Sequence, residues 1–418
     1  MEDQYDSLLA ACRTGSFQIA EKLIIDEHVN VTIVDNIFGS SPLHFACENG
    51  HTHLSIMLID QGANINLAND MGYTPLHLSC MKGHLETFIM LIEHGADINI
   101  LAKNDYSLLH LACKYGHLPI ASKLLSEDSS DISSTDIYDQ TPLHLACLGG
   151  YLDIVKLLIQ FQANIHSFNA YKETPLLLAC TQGHMDVVEC LIQFGAKIEI
   201  SNKYLSTPLH LAVLGGYLDL VQLLLSKSTS LLSQEDSKGE TALHLAAQKP
   251  TPNIVQILVN DSANVNALNH EGITPLHYAT LHGQLDNMKI LLDHHAYVNC
   301  QTTDLLTHSP LQLACYTKNF QAVEMLLQYH ADIELQDATG STALHVACQQ
   351  GNVEIVELLL LYGANISKLD NYWYSGLHHA AENNHADIIL QLLQHGAILT
   401  QDNVWIDLFL LFRPLILC

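Results

Sequence analysis

An all-α array of repeated helix pairs is what this 418-residue sequence predicts, and three observations carry that reading: its length, a fixed period, and helix signals at the same place in every period. Single hydrophobic cores stop growing near roughly 250 residues, so a longer chain is either several domains or a repetitive stack. The segment "TPLH" and its variants recur with first residues at Asp6, Ser41, Thr74, Ser107, Thr141, Thr174, Thr207, Thr241, Thr274, Ser309, Thr342 and Ser375, in steps of 33 residues and sometimes 34 or 35. A unit of that size cannot bury its own apolar face, so twelve copies in register must stack on one another.

One copy, "TPLHLACLGGYLDIVKLLIQFQANIHSFNAYKE" (141–173), justifies the elements in order. Thr141 is a good N-cap and Pro142 suits the first helical position, so a short helix runs to about Leu148. Gly149 and Gly150 break it. From Tyr151 to Gln160 the apolar residues Leu152, Val155, Leu158 and Ile159 have the spacing of an amphipathic second helix. The stretch 163–173 reads as an extended loop, and in other copies that loop holds turn signals such as "NDMGYT" (69–74) and "ATGST" (338–342), where glycine supplies a positive φ.

With 48% apolar and 15% charged residues the chain folds despite a net charge of −27. Seventeen Lys and Arg against 44 Asp and Glu provide no basic stripe for phosphates. Nucleic acid is thereby excluded as a partner and an anionic membrane disfavoured; other proteins with basic or neutral surfaces are expected instead. The N-terminus "MEDQYDSLLAACRTGSF" lacks a signal-peptide apolar run, and nothing before residue 400 reaches the 18 apolar residues of a membrane span. Eleven cysteines without a disulfide-like spacing fit a reduced state in the cytoplasm, with the nucleus as the other compartment, and not secretion.

The recurring "TPLHLAC", the following Gly83-His84, Gly183-His184 or Gly351-Asn352, then "IVxLLL" and "GANI", resemble the ankyrin repeat over about residues 6–400. The resemblance implies a curved solenoid of antiparallel helix pairs with short β-hairpin fingers projecting from one edge. It also implies protein binding through the fingertips and the concave face of the first helices. The array is assigned to 6–406, and 407–418 to a divergent apolar tail within "DNVWIDLFLLFRPLILC", read as a seal on the last copy, a docking segment or a gene-end artefact.

His and Cys at the fourth and seventh positions, as in His144 and Cys147, look at first like metal ligands or catalytic pairs. Leu9, Leu177 and Gln312 replace the histidine, and Ala247, Val213, Thr280 and Ala381 replace the cysteine. A ligand set does not tolerate leucine, and a tight helix contact explains exchange among small residues. Zinc also needs four converging ligands, whereas each copy supplies two and the next layer lies roughly 8–10 Å away. No phosphate-cradling loop, nucleophile elbow or kinase signature is present. No catalytic residue, metal or cofactor is therefore expected.

Specificity should lie at exposed variable positions. Three residues before each cap stand Phe38, Met71, Asn104, Tyr138, Tyr171, Tyr204, Lys238, Glu271, Leu306, Thr339 and Tyr372. Tyr138, Tyr171 and Tyr204 are consecutive and form an expected row about 20 Å long, in fingers where Asp105, Asp139, Lys172 and Leu205 replace the turn glycine as though the plain turn were lost. Tyrosine is enriched in binding hot spots. These three, with Lys114, Tyr115, Thr181 and Gln182 on the first helices, are the expected partner surface, and Tyr372, Trp373 and Tyr374 a second one. Three stretches break the pattern: "SEDSSDISSTDI" (126–137), "SKSTSLLSQEDSK" (226–238) and "QKPTPN" (248–253), read by default as solvated loops. The expected function is a non-enzymatic scaffold or adaptor. The alternative is the recognition arm of a larger protein, such as a ubiquitin-ligase adaptor, channel or palmitoyltransferase; no SOCS-box or F-box pattern follows residue 400.

Overall fold

A computed structural model of the chain describes residues 2–126, 131–303 and 307–398. These residues form 24 α-helices in twelve pairs. The chain divides into two compact units, residues 1–203 and 204–418, each with six of the pairs.

In the first unit the helix Pro142–Gly149 follows an extended Thr141 at φ −83°, and proline at the first position fixes φ where its missing N–H is not needed. It ends at Gly150 in the left-handed region (φ +76°), one residue later than the expected break, and Leu152–Gln160 returns antiparallel. The same construction repeats in Pro75–Lys82 with Leu85–Glu93 and in Pro175–Gln182 with Met185–Gln193. The first copy differs: Asp6 lies inside the helix Glu2–Thr14 and not at its cap, and Ser7 stands where most other copies have proline. Its second helix changes pitch after Phe17–Glu21, with a π-helical turn over Lys22–Asp26.

In the second unit the pairs run from Pro208–Gly215 with Leu218–Lys227 to Gly376–Glu382 with Ala386–Gln394. The polar run 226–238 is only partly a solvated loop: a 3-10 turn, Thr229–Ser233, buries Leu231 and Leu232. At "QKPTPN", Pro252 starts the helix Pro252–Asn260, and the missing inter-helix glycine is offset by Asn287 of the next copy. Its Nδ2 donates to the carbonyls of Ala246 (3.3 Å), Ala247 (3.2 Å) and Lys249 (2.6 Å). That amide satisfies carbonyls which a helix end otherwise leaves orphaned.

In each unit the core is the seam between successive pairs. The seventh-position residues Cys12, Cys47, Cys80, Cys113, Cys147 and Cys180 of the first unit, and Cys315 and Cys348 of the second, are fully buried, as are Val213, Ala247 and Thr280. The fingers depart from the expected β-hairpins. No strand occurs among the described residues, only an isolated bridge between Ala102 and Tyr106. The described fingers close on too few backbone pairs to form a ladder, as where Asn169 N donates to Glu173 O at 3.0 Å and Lys172 N to Asn169 O at 2.9 Å. Residues 402–418, with the 406/407 boundary, and Leu306 lie outside the described residues.

Candidate functional site

The fourth-position histidines, apart from His378, are bolts between copies. Nδ1 of His144 accepts the amide N–H of Thr141 at 3.0 Å, so the proton sits on Nε2, which donates to the Glu173 carbonyl of the next finger at 3.1 Å. His44, His77, His110, His210, His244 and His345 repeat this with carbonyls 23–30 residues away. Where glutamine replaces histidine the chemistry is kept: Gln312 Oε1 accepts from Ser309 N at 2.8 Å and Nε2 donates to Ser341 O at 2.7 Å. One acceptor and one donor at fixed spacing make the bolt, and glutamine supplies both as well as histidine does. Burial holds these imidazoles below the usual histidine value, His77 and His144 at about 4, and raises the thiols, Cys12 to about 12. Among the described residues no three His, Cys, Asp or Glu side chains converge on a possible metal position.

A second set of bolts escaped the sequence reading. His84 Nε2 pairs with Glu48 O at 3.0 Å, His117 with Met81 O at 2.8 Å and His184 with Leu148 O at 3.0 Å, each ring reaching the copy before. These rings lie flat against the preceding copy's turn glycine. A Cβ on Gly83 would meet His117 Nδ1 at 2.5 Å, and one on Gly150 would meet His184 at the same distance. The signal was present in the Gly-His dipeptides, but only the stacking shows what each ring meets.

The fingers are joined edge to edge through the tip residues. The carbonyl of Tyr138 accepts from Ala170 N and that of Tyr171 from Lys203 N, both at 2.9 Å; in the second unit Tyr204 O accepts from Ser237 N at 2.9 Å. The backbone is thus held while the side chains stay outside: Tyr138 is 43% exposed, Tyr171 40% and Tyr204 54%. The turns are not lost. Asp139, Lys172 and Leu205 hold φ between +56° and +59° without glycine, so these fingers keep their shape at a steric cost, whereas at 103–105 both Asn104 (φ +66°) and Asp105 (φ +59°) are left-handed and the turn is rebuilt. Tyr204 opens the second unit, whereas Tyr138 and Tyr171 belong to the first.

The first unit brings Lys114 and Tyr115 into an aromatic cluster. Lys114 Nζ lies over the ring of Tyr106 at 4.5 Å and that of Tyr115 at 5.9 Å, and donates to Tyr106 Oη at 3.3 Å. Burial raises the phenol of Tyr106, and the neighbouring Asp136 and Tyr138 raise it further; Tyr73 is raised by burial and by Tyr115 and Tyr106. Tyr73 and Tyr106 precede their caps by one residue and were not expected. One copy further, Lys203 Nζ lies 4.0 Å over the Tyr171 ring. Thr181 and Gln182 are exposed, and the Thr181 hydroxyl donates to Leu177 O of its own helix at 2.9 Å.

In the second unit Tyr372 and Trp373 are exposed at 67% and 70%, and Trp373 holds φ +66°. Tyr374 stacks on His378, with ring centroids 5.6 Å apart and planes 14° apart. Asp370 fixes this finger: Oδ1 accepts from Tyr372 N at 2.9 Å and Tyr374 N at 2.8 Å, and Oδ2 pairs with His379 Nε2 at 2.9 Å.

A family model described as "Ankyrin repeats (3 copies)" matches residues 8–102, 101–169, 161–235, 227–304 and 311–403. Among curated proteins, human BCL-6 corepressor-like protein 1 is 38% identical over 106 residues, 25% of this chain and 6% of that protein. Canine inversin is 31% identical over 116 residues, 28% of this chain and 11% of its own. Neurogenic locus notch homolog protein 1 of Xenopus tropicalis is 33% identical over 120 residues, 28% of this chain and 5% of its own. The chain therefore spans a small part of the length of these relatives. Among the described residues no helix is long and apolar enough to cross a membrane.

Proposed function

Because the chain belongs to the ankyrin-repeat family, whose repeats are protein-interaction modules, we propose that it is a non-enzymatic scaffold or adaptor that holds partner proteins on its fingertips and the concave face of its first helices. The observation that carries this reading is the exposure of Tyr138 and Tyr171 on turns whose backbones are pinned to the next finger. A large aromatic presented on a fixed backbone loses little freedom on binding. The main surface comprises Tyr138 and Tyr171 with Lys114, Tyr115, Thr181 and Gln182 in the first unit; Tyr204 is a contact of the second unit. Tyr372, Trp373 and Tyr374 form a separate contact.

With a net charge of −27 the partner has a basic or neutral surface and is not a nucleic acid. The free, mostly buried cysteines suit a reducing compartment, the cytoplasm or nucleus. Replacing Tyr138, Tyr171 and Tyr204 together by serine should abolish partner capture in a purified pull-down while thermal unfolding changes by only a few degrees. Unaltered capture would sink the assignment. A second reading, the recognition arm of a larger assembly, is favoured by one observation: the matched relatives carry such repeats within much longer chains. Extension of the gene past Cys418 by a further domain would support it.

A further inference from the structure

The finger at 136–140 carries a charge that its turn does not require. Asp136 is 4% exposed, and its Oδ1 accepts from Tyr138 N and Gln140 N, both at 2.8 Å. In the finger beginning at Asn169 a neutral amide does the same work, with Oδ1 accepting from Tyr171 N and Glu173 N at 2.9 Å. The second carboxylate oxygen of Asp136 is buried without a close hydrogen-bond partner, and the phenol of Tyr106 stands beside the carboxylate and is raised by it. A desolvated carboxylate without a cation is destabilising, so a partner group is to be expected for it.

Elsewhere in the chain such carboxylates face cationic or ionisable groups. Asp35 Oδ2 has the guanidinium of Arg13 at 3.7 Å, and Asp370 Oδ2 has His379. Lys114 stands at the same position of its helix as Arg13, seven residues after the start of its copy. It makes no ion pair with Asp136 and lies instead on Tyr106, its ammonium 4.5 Å from the ring centre and bonded to the phenol oxygen. The exposed Tyr115 and Tyr138 flank this place, and Asp105 and Asp139 add negative charge at the adjoining tips. Tyrosine rings near a carboxylate that has no direct cation partner attract cations, and arginine most, because its planar guanidinium stacks on rings. The chain's own lysine already demonstrates that attraction.

We infer that the exposed Tyr115 and Tyr138, beside the buried Tyr106 and Asp136 of the first unit, form a docking site for an arginine side chain on a basic segment of a partner protein, with Lys114 as the intramolecular occupant that it displaces. The inference rests on the proposed docking function and names the chemistry of the partner at that surface. Lys114 thereby sets the affinity: the incoming guanidinium must compete with it, and once seated lies on the tyrosine rings near the Asp136 charge.

The test uses the full chain labelled at its tyrosine rings and, as probe, acetyl-Gly-Arg-Gly-amide at low salt, followed by NMR. The Tyr138 and Tyr115 resonances should shift saturably, and the isosteric citrulline peptide should leave them still. Asp136→Asn, which keeps the turn as Asn169 does, should weaken binding at least five-fold. Lys114→Ala should tighten it several-fold, a gain that a merely structural lysine would not give. Equal shifts with arginine and citrulline, or unchanged affinity in both variants, overturn the site. If capture of a purified partner is lost in Tyr138→Ser but intact in Asp136→Asn, the arginine site falls and the docking reading stands. If capture is intact in both, both fall.

Discussion

His144 Nε2 and the carbonyl of Glu173 lie 3.1 Å apart across 29 residues of chain, and this bond fastens the helix of one copy to the finger of the next. On the other ring nitrogen His144 closes its own helix cap by accepting from Thr141 N. One side chain therefore serves local and inter-copy structure together, and its removal unpairs two buried backbone groups.

His144→Gln should cost less than about 1 kcal/mol, since Gln312 already reproduces both bonds, whereas His144→Leu should cost about 2–3 kcal/mol because the Thr141 amide and Glu173 carbonyl are left unpaired. Urea unfolding of the two variants measures the difference, and equal losses would refute the donor-acceptor account.

Acid should destabilise the array in a defined window. Burial holds His44, His77, His110, His144, His210, His244 and His345 below their unfolded value of 6.5. Between that value and about 4 for His77 and His144, the unfolded chain binds protons that the folded chain refuses. Stability is therefore full above pH 6.5 and falls as pH is lowered, by up to about 1.4 kcal/mol per pH unit for each histidine. Thermal midpoints measured from pH 7 to 4.5 should fall steeply, and His144→Gln should make the fall shallower by one proton.

Leu205 holds φ +59° with a branched side chain, so Leu205→Gly should stabilise the second unit by roughly 0.5–1 kcal/mol. Gly72 is the converse case. It holds φ +73°, and a Cβ there would lie 2.9 Å from the backbone nitrogen of Lys103, so Gly72→Ala should cost more than about 1 kcal/mol. Thermal denaturation of both variants checks the pair of signs.

Asn287→Leu removes the donor to three carbonyls around the Pro250–Pro252 turn, and should lower stability by about 1–3 kcal/mol. Hydrogen exchange should report the loss first in the helices Ala242–Ala247 and Pro252–Asn260. Uniform loss of protection through the second unit would argue that Asn287 acts otherwise.

The helix pairs were legible because each copy repeats its own evidence: Thr141-Pro142 starts a helix, Gly150 ends it, and Leu152, Val155 and Leu158 mark the face of the next. The reading failed where an outcome depended on another copy. Asp139 and Lys172 suggested lost turns, yet the same left-handed turn is kept because Asp136 and Asn169 accept two amide bonds within each finger and the next finger bonds to its tip. The hairpins expected from the family resemblance are turns, since the described fingers have too few residues to extend a ladder. Of the surface residues, Lys114, Tyr115 and Tyr138 were visible as variable positions; Tyr73 and Tyr106, at the variable position before the cap, were passed over, and Asp136 was hidden because Asp or Asn recurs at its position in most copies.

The sequence by itself determined the period, the caps of every copy after the first and the buried face of the helices, since these follow from spacing and backbone preference within about 33 residues. Only the tertiary structure decided which carbonyl each histidine meets, which glycine each Gly-His ring covers, and which carboxylate is left without a cation. Those outcomes depend on atoms brought together from different copies, and no pattern within one copy specifies the distance between them.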